Sequence, residues 1–88
     1  MKGVVKPKTD KPKSKNLVGS RVRIARQEFL GHLTQDQLSG RLAALKVSID
    51  RAAITKIELG MRHVYDYELV PLAEALKVDV RWLLGIES

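Results

Sequence analysis

From Leu17 onward, apolar residues recur at the three-to-four spacing of an α-helix, in short runs separated by turn-forming residues. Val18, Val22, Ala25 and Phe29 fall at i, i+4, i+7 and i+11 and predict a first helix over roughly 17–30, ended by Gly31 and His32. Thr34 with Gln37 three residues on is a capping box, and Leu38, Leu42 and Leu45 form the stripe of a second helix over about 35–45. Asp50 is suited to cap a third helix that turns Ala53, Ile54 and Ile57 inward and stops at Gly60. Asp66 and Glu68 favour the start of a fourth, with Leu69, Leu72, Ala73 and Leu76 as its stripe and Pro71 tolerable only near the first turn. Asp79 caps a last short turn through Val80, Trp82, Leu83 and Leu84, closed by Gly85, with Trp82 and Leu83 expected in the core. No segment alternates apolar and polar residues over a strand length and no repeat is present, so the class is all-α, a compact bundle of about five short helices. Each helix is too short to be stable alone, so packing must hold them.

The chain before residue 17 reads differently. Residues 1–16 hold six Lys and one Asp, for +5, with Pro7, Pro12 and Gly3 and no aromatic residue. Such a segment cannot bury enough apolar area to offset its ordering entropy, and it is expected to be a flexible, disordered basic arm preceding a domain at 17–88. The arm is expected to touch phosphates or the minor groove with little base information, or else to bind nothing. The remaining ten basic and nine acidic groups leave only +1 on residues 17–88, so the whole-chain +6 belongs almost wholly to the arm. The absence of Cys removes disulfides, thiol catalysis and Cys-based zinc sites, and suits a reducing, cytoplasmic setting. No apolar run reaches the roughly 20 residues of a membrane helix, and Gly3, Val4 and Val5 are too few for a secretory signal. His32 and His63 are not at metal-ligand spacing, no Gly-rich loop could cradle a phosphate, and no Ser has an identifiable base. The expectation is therefore a non-enzyme with no metal and no cofactor.

Three blocks carry a sharper signal: Leu33-Thr34-Gln35-Asp36-Gln37-Leu38, then Ile54-Thr55-Lys56-Ile57-Glu58-Leu59-Gly60, then Leu72-Ala73-Glu74-Ala75-Leu76 continuing to Trp82-Leu83-Leu84. In this order they resemble the Cro/repressor-type helix-turn-helix family of bacterial and phage DNA-binding regulators, over about 18–85. The resemblance implies a lambda-repressor-like fold whose third helix, at about 50–59, is a recognition helix lying in the major groove. It then implies that Arg51, Ala52, Thr55 and Lys56 face DNA. Arg51 could pair with guanine, Lys56 could reach guanine or a phosphate, and Ala52 or the Thr55 methyl could touch a thymine methyl. Arg51 in the first turn opposes the helix dipole, which argues for a purpose beyond solvation. Thr34 and Gln35 would set the second helix's N-terminus and a side-chain amide against a backbone phosphate, with Arg62 as a further phosphate contact. Glu58 would pair with Arg26 as a structural ion pair.

Two spacings depart from the family pattern. The interval from Leu42 to Ile54 is longer than usual, and an extra turn on the second helix with a longer linker over Val47 and Ile49 is expected to absorb it. The interval from Phe29 to Leu33 is also longer. Gly40 within the second helix costs about 1 kcal/mol relative to Ala and suggests a close approach of backbones. The expected function is sequence-specific double-stranded DNA binding by a transcriptional regulator, with repression preferred, in a bacterial or phage-encoded cytoplasmic protein. A palindromic site would require a two-fold homodimer. The competing expectation is an antitoxin-like or adaptor module that uses the same helices to hold a protein partner. With no sequence beyond Ser88, control is expected from concentration, dimerisation or a second protein.

Overall fold

Local capping decides where the helices begin. In a computed structural model describing residues 14–86, five helices follow one another: α1 (Gly19–Glu28), α2 (Gln35–Ala44), α3 (Arg51–Glu58), α4 (Asp66–Leu76) and α5 (Val80–Leu83). No strand occurs among the described residues, and no helix there is long and apolar enough to cross a membrane. The Gln37 N–H donates to Thr34 Oγ1 at 3.0 Å and the Thr34 N–H to Gln37 Oε1 at 2.8 Å, the reciprocal pair of a capping box. Asp50 accepts from the Ala53 N–H at 2.8 Å, and Asp79 from the Arg81 N–H at 2.7 Å. At α4 the Tyr65 N–H donates to the Glu68 carboxylate at 3.0 Å, which satisfies a donor that the helix itself leaves free.

Helix ends are set by left-handed residues. Gly60 (φ 75) and Gly85 (φ 78) stop α3 and α5, and Met61 N–H donates back to the Lys56 carbonyl at 2.7 Å. Two lysines do the same for α2 and α4: Lys46 sits at φ 68 and Lys77 at φ 58. Lys46 explains why the expected extra turn on α2 does not form. The helix stops at Ala44, and the added length goes into the linker, from which Ile49 is buried and Val47 half-buried. Pro71 also departs from expectation, lying in the second turn of α4. The hydrogen bond it omits would have gone to the carbonyl of Tyr67, an exposed residue whose carbonyl water can satisfy.

The core is one cluster to which every helix contributes. Val18 before α1, Val22 from α1, Leu38 and Leu42 from α2, Ile54 and Ile57 from α3, Leu72 and Leu76 from α4, and Leu83 from α5 are all buried. α3 packs on α1 and α2, α4 also packs on α1 and α2, and α5 packs on α4. α3 therefore uses Ile54 and Ile57 as its inward face and leaves its other face outward. Trp82 is half-buried rather than fully enclosed: the Arg21 guanidinium lies 4.8 Å from its ring centre and donates to its carbonyl at 3.0 Å.

The N-terminal boundary moves relative to the sequence expectation. Residues 1–13 of the proposed arm lie outside the described residues, but Ser14–Asn16 are packed onto the domain. The Asn16 amide donates to the carbonyls of Ile57 (3.1 Å) and Arg62 (2.8 Å), while its oxygen accepts from the Val18 and Gly19 N–H groups. One side chain thus caps the start of α1 and ties it to the end of α3. The two helices meet so closely at Gly19 that a Cβ there would run into the Ile57 carbonyl, so no larger residue fits. Gly40 shows the opposite: a Cβ there meets nothing within 4 Å, so the close approach expected at this glycine does not exist.

Candidate nucleic-acid interface

Ala52, Lys56 and Leu59 fall at i, i+4 and i+7 on the outward face of α3 and are exposed, with exposed Arg51 and half-buried Thr55 beside them. Arg51 lies 3.6 Å from Asp36, but both side chains are about 70% exposed, at 68% and 70%, so water screens the pair and leaves Arg51 able to exchange partners. Lys56, in the last turn, is favourably placed against the helix dipole. The face thus offers two cations, a methyl-bearing hydroxyl, a methyl and an isobutyl group, with no acidic side chain of α3 among them.

Behind this face lies a buried polar network. Arg26 Nε and Nη2 donate to the two oxygens of Glu58 at 2.7 and 3.0 Å, and Arg26 Nη1 donates to the Leu33 carbonyl at 3.1 Å. The Glu58 side chain is only 5% exposed and that of Arg26 14%, so this expected ion pair spans α1 and α3 largely out of water. Donating these hydrogen bonds to Glu58 raises the Arg26 pKa despite burial acting against it, and the guanidinium stays charged. The Gln35 amide joins in, donating to Glu58 Oε1 at 3.2 Å and accepting from the Thr55 hydroxyl at 3.0 Å. That hydroxyl also lies 3.1 Å from the Arg51 carbonyl, within the same helix.

These contacts revise several expected roles. Gln35 does not extend freely toward solvent: its side chain cross-links α2 to α3, leaving one amide hydrogen for an outside acceptor. The Thr34 hydroxyl accepts the capping bond through one lone pair and keeps its own O–H to donate. Arg62 differs most from expectation. Its guanidinium makes a two-point pair with Glu68 at 3.0 and 3.2 Å and donates to the His63 carbonyl at 2.8 Å, so its charge is spent bracing the α3–α4 connection rather than offered to a phosphate. Burial alone would push the Glu68 carboxyl up. Hydrogen bonds from Arg62 and the Tyr65 N–H, with the Arg62 charge, outweigh it and hold Glu68 below its ordinary value of 4.5.

Sequence reasoning placed Arg51, Ala52, Thr55 and Lys56 on one helix, and they share one face. It missed Leu59, the C-cap residue of α3, which is 63% exposed at the C-terminal end of that face, although the i+7 spacing from Ala52 carried the signal. It also missed Arg23, which lines the groove beside α3 together with Arg26, Gln35, Thr55, Glu58 and Leu59. Nothing local marks Arg23, because its place depends on how α1 crosses α3. Comparison of the chain with protein-family models, with curated proteins and with solved structures returns no match.

Proposed function

We propose that the protein binds double-stranded DNA through the outward face of α3, as a sequence-specific transcriptional regulator of the Cro/repressor helix-turn-helix type. The observation that carries this reading is that Arg51 and Lys56 project from a short, well-capped helix whose opposite face is fixed by Ile54, Ile57 and the Arg26–Glu58 pair. A rigid helix with cationic and methyl-bearing groups on a protruding face matches the donor, acceptor and methyl pattern of the major groove. Repression and two-fold binding as a homodimer belong to the same reading, and cytoplasmic residence follows from it.

Mutation separates base reading from general attraction. Arg51→Ala should cost about 1–3 kcal/mol on the preferred duplex and narrow its margin over unrelated duplexes, measured by gel shift in about 150 mM salt. Equal losses on every sequence would remove the claim of specificity.

Leu59 favours a second reading, an antitoxin-like or adaptor module whose α3 face holds a protein. A 63% exposed leucine among cations suits a protein interface better than a phosphate. That reading predicts a stoichiometric partner on purification from the native host and no change in DNA affinity on replacing Arg51 and Lys56 by Ala.

A further inference from the structure

Near-neutral domains bind DNA through the few cations they leave uncommitted, so the disposition of each arginine decides where a phosphate can be held. Arg26 is neutralised by Glu58 and Arg62 by Glu68. Arg21 lies over Trp82, and Arg41 lies over Phe29 while donating to the Ala75 carbonyl at 2.7 Å. Arg81 has an interaction of its own and lies on α5. Arg51 faces Asp36 loosely from the start of α3. Arg23 is exposed on α1 and borders the groove between α1, the start of α2 and α3.

That groove encloses about 220 Å³, and its floor is the Arg26–Glu58–Gln35 network. The floor is electrically balanced, because both Glu58 oxygens accept hydrogen bonds from Arg26 and one of them also from Gln35. The uncompensated charge among the lining residues is therefore that of Arg23, and the Gln35 amide that also lines the groove keeps one hydrogen. A cation and a neutral donor at the edge of a fixed polar floor suit one phosphodiester oxygen pair.

Resting on the reading of α3 as a DNA-facing helix, we infer that Arg23 is a backbone-phosphate contact, which with Gln35 anchors a strand in the α1–α3 groove and sets how α3 sits in the major groove. It is a positioning contact: it carries no base information, and it works from a different helix than the one that reads sequence. Phosphate contacts of this kind fix register while base contacts specify. Among the described residues Arg23 is the arginine on α1 that has no partner, so the phosphate grip on this side of α3 depends on it.

The test measures affinity of the full chain for its selected duplex and for an unrelated duplex by fluorescence anisotropy, over about 50 to 300 mM salt. Arg23→Gln should weaken both duplexes by a similar factor, roughly three- to tenfold at the lowest salt, and lower the slope of log affinity against log salt by about 0.9. The ratio between the two duplexes should stay unchanged. Lys77→Gln, which removes the same charge from the turn after α4, should leave the slope in place. An unchanged slope for Arg23→Gln, or a slope lowered equally by Lys77→Gln, would overturn the inference while leaving α3 as the reading helix. A changed ratio between duplexes would overturn it by making Arg23 a base contact. Failure of the unaltered chain to bind any duplex would instead remove the α3 reading and this contact together.

Discussion

Two carboxylates hold the polypeptide around α3, and they do so for different partners. Glu58 is fixed by Arg26 and Gln35, and Glu68 by Arg62 and the Tyr65 N–H. Removing Glu58 would strand the buried Arg26 charge and the Gln35 amide. Glu58→Ala should therefore lower stability by roughly 3 kcal/mol in urea denaturation, and an effect below about 1 kcal/mol would mean the pair is not buried in solution. Glu68 gives a pH signature. Its folded pKa is depressed, so its contribution is fully present above the unfolded value near 4.5 and is lost as pH falls through the lower folded value. Glu68→Gln should cost about 2 kcal/mol at pH 7 and progressively less below pH 4, where the unaltered carboxyl is itself protonated. Thermal unfolding at pH 7 and pH 3 distinguishes this from a constant deficit, which would contradict the assigned linkage.

The helices show which features of the fold can be read locally. Thr34, Asp50 and Asp79 act on N–H groups two or three residues away, so their caps are visible in the sequence and appear in the structure. The stripes through Val22, Leu38, Ile54 and Leu72 are equally local. Lys46 and Lys77 carry no such mark, because a non-glycine residue in the left-handed region looks like any exposed lysine. Asn16 and Gly19 are beyond local reading for another reason: their partners lie 41 and more residues away along the chain for Asn16, and across a helix contact for Gly19. The place of Arg23 is hidden in the same way by the crossing of α1 over α3, whereas the capture of Arg62 by Glu68 spans only six residues and depends on the path of the turn between α3 and α4. Two substitutions test these assignments. Gly40→Ala fills open space in a helix and should stabilise by about 0.5–1 kcal/mol, or roughly 4 °C in Tm. Lys46→Gly relieves a left-handed lysine and should stabilise by a similar amount, about 0.5–1 kcal/mol. Destabilisation by either would mean that α2 packs or ends differently.

At the level of the molecule, net charge misleads and disposition informs. Of the +6 on the chain, +5 lies in residues 1–16, so under the proposed reading bulk attraction to a polyanion and recognition of a sequence would have separate sources. The domain spends Arg21, Arg26, Arg41 and Arg62 internally and keeps Arg23, Arg51 and Lys56 around α3. A domain arranged this way should choose among sequences while carrying little general affinity. The direct measurement is selection of bound duplexes from a random pool by the full chain in about 150 mM salt, repeated with Arg51 and Lys56 replaced by Ala. Enrichment of one motif by the unaltered chain, lost in the double variant, is the predicted result. Binding without enrichment, or the same motif recovered by both proteins, would contradict α3 as the element that reads DNA.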